Sequence, residues 1–258
     1  MLSTKLAEIS SIESEFKDGD KLLFSGVYNK LTKSIVTDLS HFNGFFTEVD
    51  KDYAKMQKNI VPCEKWLQSC HAEPLVLHAD LFMRLHAFQS VMQKRNYSRK
   101  PGTTDRDAKA KFIEGWDPTL SALMENGFGQ CVQKSILATE YLRRSGIDAK
   151  CFSGTQTDNL DDENHGHCVV IIEHKNSLLI YDPAQPVVSD DGMTYPSLIP
   201  VDKNGYENWL SIAREERCYM RLIKPFSGKE VFYGAGNMRV THKRYVDAMP
   251  PTDTRMNI

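Results

Sequence analysis

Cys131 follows the turn Gly127-Phe128-Gly129-Gln130 and opens a segment whose apolar positions repeat at helical spacing: Val132, Ile136, Thr139 and Leu142 line one face. Gly146 stands where a left-handed C-terminal cap belongs, so a helix over 131–145 is expected. The first N–H groups of a helix have no internal partners, and its dipole is positive there. Both effects favour a thiolate, the nucleophilic form of the side chain. The Cys131 N–H could donate to an oxyanion, and the glycines would keep the approach open. The plain alternative is a small buried apolar residue, the common fate of a cysteine.

A thiol nucleophile needs a base. His165 and His167 precede the apolar run Cys168-Val169-Val170-Ile171-Ile172, and Asp182 closes the next apolar run, 178–181. The polar stretch 173–177 between them predicts a β-hairpin. With Lys175 and Asn176 at its tip, the numbers of paired residues sum to 351, which sets Asp182 opposite Val169. His167 lies two residues before Val169 and so shares the face of Asp182 as its diagonal neighbour, roughly 7–8 Å away and within side-chain reach. An odd loop would put the two on opposite faces. His167 would then take the thiol proton and return it to a leaving amine, while Asp182 orients the ring. His165 competes as base because residues two apart on a strand face the same way. Gln130 would either polarise a substrate or position the turn.

These residues resemble the transglutaminase-like superfamily. Gly129-Gln130-Cys131 opening a helix that ends in Leu-x-x-x-Gly-Ile looks like its nucleophile segment, His167-Cys-Val-Val-Ile like its histidine strand, and Tyr181-Asp182-Pro183 like its aspartate element. The order agrees, and the resemblance covers about residues 120–190. Val132 stands where the family commonly has an aromatic residue, and Val169 where it often has tryptophan. The resemblance implies an α+β, papain-like fold in which the nucleophile helix packs on an antiparallel sheet. It also implies acyl transfer through a thioester on a carboxamide or peptide bond of a protein or peptide substrate. Within the family, glutamine deamidation or transamidation is favoured over cysteine protease activity. An arylamine acetyltransferase-like enzyme uses the same three residue types and would need a coenzyme A site. A catalytically inactive protein-binding module is the non-enzymatic alternative.

The elements around the site divide the chain. Residues 2–16 carry Leu2, Leu6, Ile9, Ile12 and Phe16 on a helical stripe, and 74–97 a stronger one, so 1–100 is expected to be a helical N-terminal region. The turn-rich stretch 100–105 makes a break before a catalytic core over 101–245 and a polar tail over 246–258. Within the core, 112–124 should be helical, 147–153, 168–173, 178–181 and 218–223 strands, and 183–201 loop-like, before a helix at 206–216. The 258 residues suit one large domain or two small ones.

Composition removes several other functions. Lys and Arg number 32 against 34 Asp and Glu, a net charge of −2, without the basic footprint that nucleic acid requires. No run of 18 apolar residues could span a membrane, and the N-terminus does not read as a cleaved secretory signal. A cytosolic protein is the default, with export as a bacterial effector lacking a cleaved signal as the alternative. The six cysteines are too sparse for a disulfide scaffold and never spaced as C-x-x-C, so they read as reduced thiols with no zinc site. His71, His78 and His86 lie two turns apart along a helix, too far for one metal ion. The acidic loop 158–163 lacks the pattern of a calcium loop and reads as solvated. No cofactor motif is present, and Phe42, Phe46 and Trp66 read as core.

Overall fold

The computed structural model describes residues 7–8, 13–14, 17–23, 34–69, 78–97, 119–160, 165–190, 192–216, 218–235 and 244–249. Along them run β1 (Ala7–Glu8), β2 (Glu13–Ser14), β3 (Lys21–Leu23), β4 (Ser34–Val36), a 3-10 turn (Leu39–Phe42), α1 (Asn43–Met56), α2 (Val61–Ser69), α3 (Ala79–Lys94), α4 (Leu120–Glu125) and α5 (Cys131–Arg144). The second half adds β5 (Asp148–Thr157), β6 (His165–His174), β7 (Ser177–Val188), β8 (Thr194–Val201), α6 (Lys203–Glu216), β9 (Tyr219–Ile223), β10 (Glu230–Ala235) and β11 (Tyr245–Asp247). The class is α+β: the large sheet has the order β11-β9-β10-β5-β6-β7-β8 with β2 on β5, and a small sheet has the order β1-β3-β4.

The central hairpin follows from its turn. Lys175 and Asn176 both take positive φ, 49° and 63°, as a two-residue hairpin turn matched to strand twist requires. His174 therefore pairs with Ser177, and the register runs on to Val170 opposite Tyr181. This is the register expected from an even loop. Past Val170 and Tyr181 the outer neighbours carry the pairing, with His167 opposite Gly154 of β5 and Asp182 opposite Ser197 of β8.

α5 packs on this hairpin as expected and is stopped by Gly146 at φ 74°. The Gly146 N–H donates to the Arg143 carbonyl and that of Ile147 to Leu142, both at 3.0 Å, so the last carbonyls of the helix are satisfied. One turn after Cys131, the Ser135 hydroxyl donates to the Cys168 carbonyl at 2.9 Å and pins the start of α5 to β6. The two faces of the sheet bury separate cores. Tyr181, Val170 and Ile172 join α1, α3 and α5 on one side, where Phe42, Phe46 and Trp66 are buried. Val169, Ile171 and Ile180 meet Trp209 of α6 on the other.

Three expectations are corrected. A helix over 2–16 does not form where the chain is described: Glu13 and Ser14 are strand, paired with Phe152 and Cys151 of β5. The Ser-rich stripe has weak helix propensity, and the open β5 edge offers backbone hydrogen bonds that outweigh it. Among the described residues, 7–36 thus contribute strands, and the helices of the N-terminal region are α1, α2 and α3. The loop expected over 183–201 is β7 continued and β8, with a register shift between Asp182 and Val187. Pro183 and Pro186 fall within that irregularity and Pro196 and Pro200 on the outermost strand, where a missing N–H is tolerated. The polar tail over 246–258 begins inside β11, which lies parallel to β9, and Ala248 is fully buried. Residues 250–258, the break at 100–105, Pro74 and the first part of the 112–124 helix lie outside the described residues.

Gly154 shows how tightly the strands beside His167 are set. A Cβ placed there would lie 2.0 Å from the Gly234 carbonyl oxygen, and both are backbone positions in paired strands. Gly154→Ala is expected to cost about 2–3 kcal/mol through forced strand displacement. That corresponds to a drop of roughly 5–10 °C in a calorimetric midpoint.

Candidate functional site

Cys131, His167 and Asp182 meet where β6 and β7 part. The His167 Nε2 lies 2.7 Å from Asp182 Oδ2, and the Cys131 side chain lies close enough to the same ring to raise its affinity for a proton. With Nε2 given to the carboxylate, Nδ1 is the ring nitrogen left for the sulfur. Asp182 is fully buried, and its other oxygen, Oδ1, accepts the N–H groups of Ala184 at 3.0 Å and Gln185 at 3.1 Å. The sequence Asp182-Pro183-Ala184-Gln185 therefore folds its own backbone onto the carboxylate and leaves Oδ2 aimed at the histidine.

Electrostatics follow from this burial. Desolvation opposes a charge on His167, but the Asp182 carboxylate and the Cys131 sulfur outweigh it and lift the ring to about 10. The ring is thus held as an imidazolium at neutral pH. The Tyr233 ring of β10 stacks beside it, with centroids 6.4 Å apart and planes at 25°. Lys134, three residues beyond Cys131 and only 8% exposed, is a further cation at the site. Burial lowers its affinity for a proton, while Asp182 and Cys131 act to restore it.

The backbone of His165 pairs with Gln156, two positions along β6 from His167, and it is His167 that holds Asp182. Gln130 is the N-cap residue of α5, and its backbone N–H donates to Gln133 Oε1 at 3.0 Å, so it positions the turn. The glycines before Cys131 serve packing more than access. A Cβ at Gly129 would lie 2.7 Å from the Tyr97 carbonyl oxygen, and the preceding Phe128 is buried. Helical spacing could have exposed Lys134 as a neighbour of Cys131. Tyr233 had no such signal, because no strand was expected at 230–235.

The remaining described thiols are set apart from Cys131. Cys63, Cys151, Cys168 and Cys218 are buried, whereas Cys131 is half-buried, and none of the five is in a disulfide. Burial pushes the Cys63 thiol up to about 11, and the Cys151 thiol together with burial raises Cys168. His78 and His86 are structural: burial lowers both, and each has a ring nitrogen without a hydrogen-bond partner. His71 lies outside the described residues. Among the described residues, no group of three or more His, Cys, Asp or Glu side chains is placed to hold a metal ion. No described helix is long and apolar enough to cross a membrane.

Compared with protein families, curated proteins and solved structures, the chain finds no match. The functional reading accordingly rests on the geometry of the site.

Proposed function

We propose that this chain is a cysteine-dependent acyl-transfer enzyme with a transglutaminase-like, papain-like core, acting on a glutamine carboxamide of a protein substrate. The observation that supports it is the row Cys131–His167–Asp182, closed by the His167–Asp182 hydrogen bond, which begins at the N-terminus of a helix with a half-buried thiol and ends in a fully buried carboxylate. Cys131 is the nucleophile. Its sulfur attacks the carboxamide carbon, and the C–N bond breaks as the His167 imidazolium gives its proton to the departing nitrogen. Water, or a substrate amine, then resolves the thioester with His167 acting as base. Asp182 holds the ring orientation and stabilises its charge through both halves of the cycle.

Two measurements test this. Iodoacetamide at about pH 6, followed by peptide mass spectrometry, is expected to place the first adduct on Cys131, because the other described thiols are buried. Labelling that begins at Cys151, Cys168 or Cys218 would count against the reading. With glutamine-containing proteins as substrates, release of ammonia without chain cleavage is the expected signature. Cleavage products without ammonia would transfer the same row of residues to peptide hydrolysis.

A further inference from the structure

Lys134 is a largely buried lysine with no assigned task. It stands three residues after Cys131 on α5, and helical side chains lean toward the N-terminus over the preceding turn, which puts it on the same face of the helix as Cys131. The residue is only 8% exposed, and the charged groups that act on its ammonium are those of the site. Buried lysines are ordinarily paired, since an unpaired charge away from water is costly. The obvious partner is already engaged: the two oxygens of Asp182 accept from His167, Ala184 and Gln185. The groups that act on the Lys134 charge are Asp182 and Cys131 themselves. A cation beside a nucleophile is suited to a negative charge that develops during reaction.

We propose that the Lys134 side chain is the second oxyanion donor of the site, acting with the Cys131 N–H on the tetrahedral intermediate of acyl transfer. The inference rests on the acyl-transfer reading above. As the C–S bond forms, the carbonyl π electrons move onto oxygen, and that oxyanion is held by the first N–H of α5 and the Lys134 ammonium. When it collapses, the C=O bond re-forms and the leaving group departs with the electrons of its bond to carbon. An amine leaving group takes the His167 proton. Lys134 keeps its own proton throughout.

The test separates oxyanion stabilisation from thiolate stabilisation with two small probes and the full chain. Acylation by p-nitrophenyl acetate passes through a tetrahedral oxyanion, whereas alkylation by iodoacetamide displaces iodide at a saturated carbon and forms none. Lys134→Met is expected to slow the p-nitrophenolate burst on the order of 10²–10³-fold while Cys131 alkylation stays within about 3-fold. Lys134→Arg, which keeps a cationic donor, should retain most of the burst. Lys134→Gln serves alongside Met, and selective alkylation of Cys131 reports that each variant is folded. Equal losses in both reactions would assign Lys134 to the thiolate and overturn the proposal, as would no loss in either. A wild-type chain that alkylates at Cys131 yet gives no burst would defeat the acyl-transfer reading itself, and this proposal with it.

Discussion

Cys131→Ala is expected to reduce turnover by roughly 10⁴–10⁶-fold, because in a nucleophile–base–acid unit the loss of the nucleophile removes nearly the whole of the unit's contribution. The fold should scarcely register the change. Cys131 is only half-buried, α5 keeps the Ser135 hydroxyl on the Cys168 carbonyl, and the Gly146 cap is untouched. His167 loses its contact with the sulfur but keeps Asp182 at 2.7 Å. A stability change of about 1 kcal/mol or less is expected, a few degrees in a calorimetric midpoint. Initial rates and calorimetry on the same preparation make the check. A variant retaining a tenth of wild-type turnover with an unchanged midpoint would show that the sulfur is not the nucleophile. A variant that loses activity only because it unfolds would reveal itself in the calorimeter.

The part of the site that was legible in the sequence was legible for a geometric reason. Strand periodicity is two, so once the turn length of the β6–β7 hairpin is known, the face of every residue on both strands is known with it. Lys175 and Asn176 at the tip set the sum of paired numbers, and His167 and Asp182 then share a face by parity alone. Cys131 was legible because a helix start is marked by its own chemistry: the turn before it and the Gly146 cap after it bracket α5. What stayed hidden depends on contacts distant in sequence. Tyr233 reaches His167 only because β10 pairs with β5, through Gly234 opposite Thr155 and Ala235 opposite Gly154. β2 and β11 are short, and pairing with β5 or β9 makes them strands where local pattern does not. The stretch after Asp182 was read as loop and is strand despite its prolines. Proline removes a donor without forbidding extended backbone, and the outermost strand of a sheet can spare the donor.

Asp182→Asn should give the second largest effect, and its pH dependence is more informative than its size. With the carboxylate present, His167 is held at about 10, well above the ordinary histidine value near 6.5. A base whose affinity for a proton is raised by folding adds stability while it is charged. The contribution is fully present below about pH 6.5 and is lost as pH climbs through about 10. The denaturation midpoint of the wild type in urea is therefore expected to decline between pH 7 and pH 10 in step with this titration. In the asparagine variant burial dominates, the folded ring gives up its proton near or below neutrality, and the decline over that window should vanish. Activity should follow the same proton. Wild-type turnover needs the imidazolium to protonate the leaving amine, so its alkaline limb is expected near 10, and that of the variant several units lower. Turnover at the optimum should fall on the order of 10³–10⁴-fold, since the amide can present the wrong hydrogen-bonding group to the ring and cannot stabilise its charge. An asparagine variant that keeps the wild-type alkaline limb would mean that some other group sustains the His167 proton. The buried carboxylate would then be a fold element, held by Ala184 and Gln185, with no part in the chemistry.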